Sequence, residues 1–494
     1  MSESYVGRVN LDISVPTGAG SVNNPRPEYS WMQGYWRTID LVADGFESAK
    51  NSAGSIIPQL YAEQDESYQT RLKHLDFLPL FSRLIDLTAA MICRKAITVT
   101  VREGAPVAVS EILEEHLEDI DSQGRSLDSF IRDFLKTQIT YSIAGILIDA
   151  PSKAAGEKIS LADEKKYNLR PYWVAIKPKD LISWRHERVG AANQLVHLRV
   201  RSTREQVVGE FGVKVVPIIR VYDLVEGVVV CRTFVQSDKD WVEDPELRTQ
   251  IGLPYIPYFS MNTNPQGLFT ARPEMYELAI LNIGHTRTSS DLAFALNLAA
   301  HPKLKRLRTV QFAEDYTNEN TIDMAPDKVL TPGVGEDYEW LSAPDSAFSA
   351  LERKIEKYEE DSKKMFTMMI LGQTNGVESA QSKRLNQNQG NSSLLKIVIE
   401  LDSLLENCIQ AHCDLMDVTT IGSESAICLN VNRDLAAEEM SVELLREYSE
   451  LEIKGQISKR SLLEAMMRGQ LWWEDFDVER ELIQVDKLSA SDDR

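Results

Sequence analysis

The feature that most constrains the fold of this 494-residue chain is residues 345–418, where a helical pattern is written twice around a polar linker. In the first half, Phe348, Leu351, Ile355, Tyr358, Met365 and Met369 recur every three or four positions or multiples of that spacing, the mark of one helix face. The opposite face is almost wholly Glu, Asp, Lys and Arg. At ~1.5 Å per residue, residues 345–371 make a rod roughly 40 Å long. In the second half, Leu394, Val398, Leu401, Leu405, Cys408, His412 and Leu415 repeat the pattern. Between the halves, residues 372–392 are mostly Gly, Asn, Gln and Ser with few apolar side chains. Connections that long and polar are functional or mobile. The plainer alternative is an ordinary antiparallel helix pair with a surface loop.

Length allows two to four domains with real cores. Hydrophobic residues make up 43% and charged residues 26%, which excludes wholesale disorder. The formal net charge of −21 argues against tight static binding of nucleic acid, which needs a basic footprint. It leaves open a protein that lets nucleic acid slide past. The five cysteines, Cys93, Cys231, Cys408, Cys413 and Cys428, are odd in number and scattered, so a reducing compartment is expected. Cys408 and His412 stand four apart on one helix face, but no second ligand pair of standard spacing accompanies them; no metal or other cofactor is expected. No apolar run is long enough to span a bilayer and the first 24 residues lack the pattern of a signal peptide, so no membrane association is expected.

Along the chain, residues 1–28 read as an irregular arm and residues 31–49 as a helix. A short charged helix is expected at 65–72, an apolar one at 80–94, and a β-branched run at 97–101. Residues 110–151 read helix, helix, strand, the strand being 145–151. Its Asp149 invites a catalytic reading, yet an Asp ending a strand before Ala-Pro is more often turn chemistry. Residues 172–235 are β-rich, with Arg185, Arg199 and Arg201 at outward positions that suggest one wet face. Residues 274–300 are helical with a small, polar centre of Gly284, Thr286, Thr288, Ser289 and Ser290. Pro302 stops that helix, and residues 303–344 form a compact insert with strand-like runs. A last strand is expected at 426–431, followed by helices.

Phosphate-binding glycine loops, nucleophile elbows and zinc-protease signatures are all missing from the sequence, and no carboxylate pair stands apart from a solvated helix face. No reaction class can be nominated, and a non-enzyme is expected. Residues 444–469 have the outline of a helix-turn-helix, with Lys459, Arg460 and Arg468 on its second helix. Trp472, Trp473, Glu474 and Asp475 follow at once, which favours a helical hairpin packed on its own domain over a DNA reader.

Several stretches, in this order, resemble the portal proteins of tailed bacteriophages, the head-to-tail connectors. They are Asp65-Glu66-Ser67-Tyr68-Gln69-Thr70-Arg71-Leu72, the helix ending Cys93-Arg94-Lys95, Asp180-Leu181-Ile182-Ser183-Trp184-Arg185, and Glu210-Phe211-Gly212. They continue with Leu281-Asn282-Ile283-Gly284-His285 leading into Ser289-Ser290-Asp291, then Ile370-Leu371-Gly372, and Gly455-Gln456-Ile457-Ser458-Lys459-Arg460. The resemblance implies an α+β, portal-like fold. Its parts would be an arm and first helix at 1–60, a mixed α/β wing at 61–272, stem helices at 273–301 and 345–371, and a small clip at 302–344. A tunnel loop would occupy 372–392, a returning wing helix 393–435, and a helical crown with its tail 436–494. It further implies a ring of twelve at one capsid vertex of the virion, assembled in the host cytoplasm. Double-stranded DNA would pass through the ring during packaging and ejection. Terminase, the major capsid protein and an adaptor or head-completion protein would be partners. The alternative is a DNA-binding regulator using residues 444–469.

On that resemblance, Lys383 and Arg384, with Gln381, Asn386 and Gln387, would meet DNA from the tunnel loop. Alternatively, Lys383 and Arg384 merely begin the next helix. Lys303, Lys305, Arg306 and Arg308 form a local basic cluster in the clip, suited either to blocking edge pairing or to docking a partner. Leu351, Ile355 and Tyr358 would form the seam of the stem against a helix of the same or the next subunit.

Overall fold

The computed structural model describes residues 21–101, 114–150, 170–237, 240–300, 303–308, 336–341, 345–371, 380–416, 427–431, 446, 449–450 and 458. Its architecture is mixed α and β: nine helices and fourteen strands are assigned among the described residues.

At the centre of one core lies β2 (Ile143–Asp149), every residue of which is buried. It is the middle of a three-stranded antiparallel sheet, between β3 (Tyr172–Ile176) and β9 (Tyr258–Asn262). Burial on both faces is why this strand reads as a continuous apolar run rather than an alternation. Gly145 is required there: a Cβ would lie 2.3 Å from the Tyr258 hydroxyl, so only a hydrogen lets that ring cross the strand. Helix α1 (Pro27–Ala43) starts on a proline at its first turn, where the missing N–H costs nothing. The short helices α2 (Phe46–Asn51), α3 (Ala53–Ile56) and α4 (Asp65–Lys73) follow, then α5 (Leu80–Ile92). Helix α6 (Leu127–Tyr141) is capped by Ser126, whose hydroxyl accepts from the Ser129 amide. Ile39, Phe81, Phe130 and Phe134 from these helices pack on the β2 sheet in one buried cluster.

The second core is built on a five-stranded antiparallel meander: β4 (Leu181–Val189), β5 (Ala192–Val208), β6 (Gly212–Val225), β7 (Val228–Ser237) and β8 (Asp240–Ile251). Trp36, Leu198, Tyr222 and Val229 are among its buried members. The β region therefore runs on to Ile251, beyond the expected limit at 235. β8 carries Asp, Glu and Pro245 and lacks a β-rich signature; pairing to β7 makes it a strand. The wet face expected from three arginines is also corrected. Arg185 is exposed, but Arg199 donates to the Val22 carbonyl at 2.6 Å and Arg201 to the Asn23 side chain at 2.7 Å. Both are half covered by the segment that leads into α1.

The rod consists of α7 (Tyr276–Ala300) and α8 (Asp345–Leu371), joined through a hairpin of β12 (Lys303–Arg308) and β13 (Glu336–Leu341). Helix α9 (Ala380–Leu415) then returns into the first core, burying Leu394, Val398, Leu401, Leu405 and Cys408. The 36-residue α9 overturns the expected loop boundary. Residues 380–392 are its opening turns, and only 372–379 lie between the helices, outside the described residues. Asn, Gln and Ser are modest helix formers rather than breakers, and a long helix nucleated by its apolar half propagates through them. Small sheets complete the fold: β10 (Pro265–Gly267) with β11 (Thr270–Ala271), and β1 (Thr98–Val101) with β14 (Ile427–Asn430). The last pairing closes the chain on itself across more than 300 residues.

Candidate assembly elements: the rod, its polar joint and the end hairpin

The helices α7 and α8 approach closely at one point. A Cβ on Gly284 would sit 2.8 Å from the Cζ and hydroxyl of Tyr358, so the Tyr358 ring lies directly on the glycine. The Lys354 ammonium stands 4.5 Å from the same ring's centroid. At the next residue of each helix, His285 is buried, with its Nε2 3.6 Å from Glu359 Oε1. Of the expected seam residues, Tyr358 packs within its own chain, while Leu351 and Ile355 remain half-buried. Ile280 and Leu296 on α7 and Met368 on α8 are exposed. The apolar stripe of the rod is thus incompletely covered by the single chain.

The small, polar centre of α7 is a joint to the N-terminal helices. Asn282 is fully buried; its Oδ1 accepts from the Phe81 amide and its Nδ2 donates to the Leu78 carbonyl, both at 2.9 Å. The Ser290 hydroxyl accepts from the Asp76 amide at 2.9 Å and donates to the Thr286 carbonyl at 2.7 Å. Arg71 is buried and grips Glu63 with two bonds of 2.9 and 2.7 Å. It also donates to the Pro58 carbonyl at 2.8 Å and reaches Asp291 at 3.4 Å. The Arg71 hydrogen bond, ahead of the Leu60 amide, lowers the Glu63 carboxyl to a pKa of about 2. The sequence stretches around Arg71 and around Asn282 to Asp291 therefore meet in space. The only signal of this in the sequence was the unusual polarity of α7; its partner was not legible.

Lys303, Lys305, Arg306 and Arg308 lie on β12, and the register sets Lys305 opposite Glu339 and Arg308 opposite Glu336. The strand is basic, but Glu336, Asp337 and Glu339 on the facing strand balance most of its charge. Gln381, Lys383, Arg384, Asn386 and Gln387 belong to the first turns of α9. Most of residues 444–469 lies outside the described residues. Cys408 is buried, and the His412 Nε2 faces the His116 Nδ1 at 2.8 Å instead of a thiol partner. Desolvation, with His116 and Arg170 beside it, lowers His412 to a pKa of about 3. Among the described residues, no group of three or more His, Cys, Asp or Glu could hold a metal ion, and no helix is long and apolar enough to cross a membrane. Asp149 accepts from the Tyr172 hydroxyl at 3.1 Å and from Arg220, a structural role at the end of β2.

Comparison with known proteins adds three findings. The family described as "Domain of unknown function (DUF4055)" matches residues 274–416, which is the block from the start of α7 through the hairpin and α8 to the end of α9. No curated protein matches the chain. Among solved structures, the chain is similar to one in the virion of a native gene transfer agent particle, at 13% identity and TM-score 0.39, over 85% of this chain and 97% of that one. It is likewise similar to one in the neck of the native particle computed with C12 symmetry, at 12% identity and TM-score 0.39, over 83% and 96%. A third lies in the neck of the empty particle computed with C6 symmetry, at 10% identity and TM-score 0.39, over 84% and 96%.

Proposed function

We propose that this chain is a portal subunit: a ring-forming connector at one capsid vertex through which double-stranded DNA is packaged and ejected. The observation that carries this reading is the rod. Two long helices pack through Gly284 and Tyr358, carry a charged hairpin at their far end, and leave Leu351 and Ile355 short of full burial. A charged rod with a narrow, half-covered apolar stripe needs neighbours along the stripe and tolerates water elsewhere. A ring of such rods, twelve on the portal reading, supplies both conditions.

Within this reading α7 and α8 are the stem, residues 302–344 the clip, the β2 and β4–β8 sheets with α9 from residue 393 the wing, and the turns of α9 before it the channel lining. The clip is the docking point for terminase during filling and for a head-completion protein afterwards. The wing meets the major capsid protein. Deleting residues 305–340 then leaves the wing folded but abolishes terminase or adaptor binding; normal packaging by the deletion would overturn the clip assignment. The primary test is the mass and negative-stain image of the purified chain. A closed ring near twelve subunits supports the proposal, and a stable monomer or dimer at all concentrations refutes it.

A further inference from the structure

Two strands of this chain have open edges that complement each other. The first is β3, an outer strand of its sheet. Trp173 spends its amide on the Ile120 carbonyl at 2.9 Å, so its backbone groups point away from β2. Direction alternates along an antiparallel strand, and Ala175 and Lys177 therefore point outward as well. The Lys177 carbonyl is taken by the Asp180 amide at 2.9 Å. The Lys177 amide and both backbone groups of Ala175 face no strand among the described residues. Beside this edge a groove of about 480 Å³ runs between β3 and α6, with Phe130, Phe134 and Trp173 as its apolar floor. The Trp173 ring packs on Phe130 with centroids 6.1 Å apart, and Ala175, two residues on, stands on the same face and is exposed. A strand edge beside a helix, with an apolar floor between them, is a geometry that takes up an extended segment.

The second edge belongs to the β5–β6 hairpin. β4 pairs with β5 only as far as Leu181 opposite Val200, and the Arg201 amide donates to the Asp180 carbonyl at 2.7 Å just beyond. From 202 to 208, β5 is exposed, with β6 on one side and no strand among the described residues on the other. By the same alternation Thr203, Glu205 and Val207 point their amides and carbonyls outward. The tip is apolar: Val207 is 74% exposed and Phe211 89%. Val207 and Val213 stand opposite each other on one face. Folded proteins cover open, apolar edges of this kind.

Within one chain the two edges lie in different sheets, divided by the turn at 177–180. Their charges are unlike. Residues 114–133, which supply one wall of the groove, carry seven acidic and two basic side chains. Residues 201–214 carry three basic and two acidic ones, a positive segment in a chain of net −21. Unlike segments steer and orient an encounter. Because the two surfaces differ, their contact is heterologous, and its repetition builds a ring or a filament rather than a two-fold dimer.

We infer that the β5–β6 hairpin of one copy adds to the free edge of β3 in the next, antiparallel, with Val207 opposite Ala175 and Glu205 opposite Lys177. The inference rests on the ring of the portal reading and names a contact between neighbouring wings. In this register Val207 and Ala175 exchange two hydrogen bonds, and the Lys177 amide donates to the Glu205 carbonyl. Side chains directly opposite share a face. Val207 therefore follows Ala175 toward the apolar floor, with Val213 beside it, and the Glu205 carboxylate meets the Lys177 ammonium.

The test mixes two full-length chains, Lys177→Cys and Glu205→Cys, and treats them with a short bifunctional thiol reagent. The mixture yields a linked pair of chains, while neither variant alone exceeds the unsubstituted protein. A linked pair from the Glu205→Cys chain alone would overturn the inference, as would no product in the mixture. The Lys177→Cys/Glu205→Cys double variant gives a ladder of linked chains; an intrachain product of monomer mass in its place would overturn the assignment to a second copy. Adding Val207→Asp to the Glu205→Cys chain, at a site already open to water, lowers the linked yield at least ~tenfold with the circular dichroism unchanged. An undiminished yield would show that Val207 does not enter the groove. Mass photometry separates this contact from the ring itself. Closed rings without the linkage overturn the inference and leave the portal reading standing. Linkage in open chains that never close supports the pairing and removes the ring.

Discussion

The Gly284–Tyr358 contact and the His116–His412 pair each give a test with a defined sign. Gly284 sits mid-helix, where alanine would ordinarily gain about 1 kcal/mol in helix propensity. Its Cβ would also press on the Tyr358 ring at 2.8 Å. Gly284→Ala is therefore expected to be near neutral or destabilising alone and stabilising in a Tyr358→Ala background. Gly284→Leu, which cannot be relieved by a small ring movement, should cost about 1–3 kcal/mol. Denaturant midpoints for the cycle check this, and the same sign in both backgrounds would show that the ring does not rest on the glycine. His412 has a different signature. Its pKa of about 3 in the fold lies below the ordinary value of 6.5. The unfolded chain therefore takes up a proton in that window and the folded chain does not. Stability is complete above pH ~6.5 and falls as pH drops from there toward 3, by up to ~1.4 kcal/mol per pH unit from this group. His412→Leu should flatten that part of the pH–stability curve; an unchanged slope would place the His412 proton equilibrium in the ordinary range.

At the scale of elements, α8 tests whether its stripe is a subunit seam. Ile355 is half-buried in the single chain. Ile355→Asp should leave the circular dichroism and monomer stability nearly intact, within about 1 kcal/mol, because water still reaches the site. In a closed ring the same carboxylate would be buried without a partner, costing several kcal/mol per interface. Mass photometry should then show subunits in place of rings, and rings of normal yield would show that the face stays exposed. The legibility of the elements follows the same physics. α8 and the buried strand β2 were readable because their apolar periodicity is set by their own burial. β8 was not, since a charged strand with a proline is held by its neighbour rather than by its composition. The opening turns of α9 were misread as loop because one leucine, Leu385, among Gln, Asn and Ser is too little to mark a face. Among site residues, Tyr358 was legible from the stripe. The pairing of Arg71 with Asp291 was not, because it joins residues 220 positions apart.

For the whole molecule the governing quantity is charge. On the portal reading, a ring of twelve at −21 per chain would hold about −250 formal charges, a field that would repel DNA wherever it faced the lumen. A conduit also needs a few places where the duplex is touched. Under the portal reading these are Lys383 and Arg384. They lie four and five residues into α9, whose first turn carries no acidic residue. Two cations at a helix N-terminus are mildly unfavourable for the helix itself, since they meet the positive end of its dipole, at a cost of roughly 0.3–1 kcal/mol each. On the portal reading, two cations added to the positive end of the helix dipole would suit the helix end to phosphate. Gln381, Asn386 and Gln387 add neutral groups in the same turns. Contacts of this kind are weak and screened by salt, as a sliding duplex requires. Lys383→Ala with Arg384→Ala should therefore leave ring assembly intact and stabilise α9 slightly. DNA packaging or retention should fall, and whatever DNA contact remains should depend less steeply on salt. Rings that fail to form, with any survivors packaging normally, would make both residues structural and remove α9's first turns from the channel.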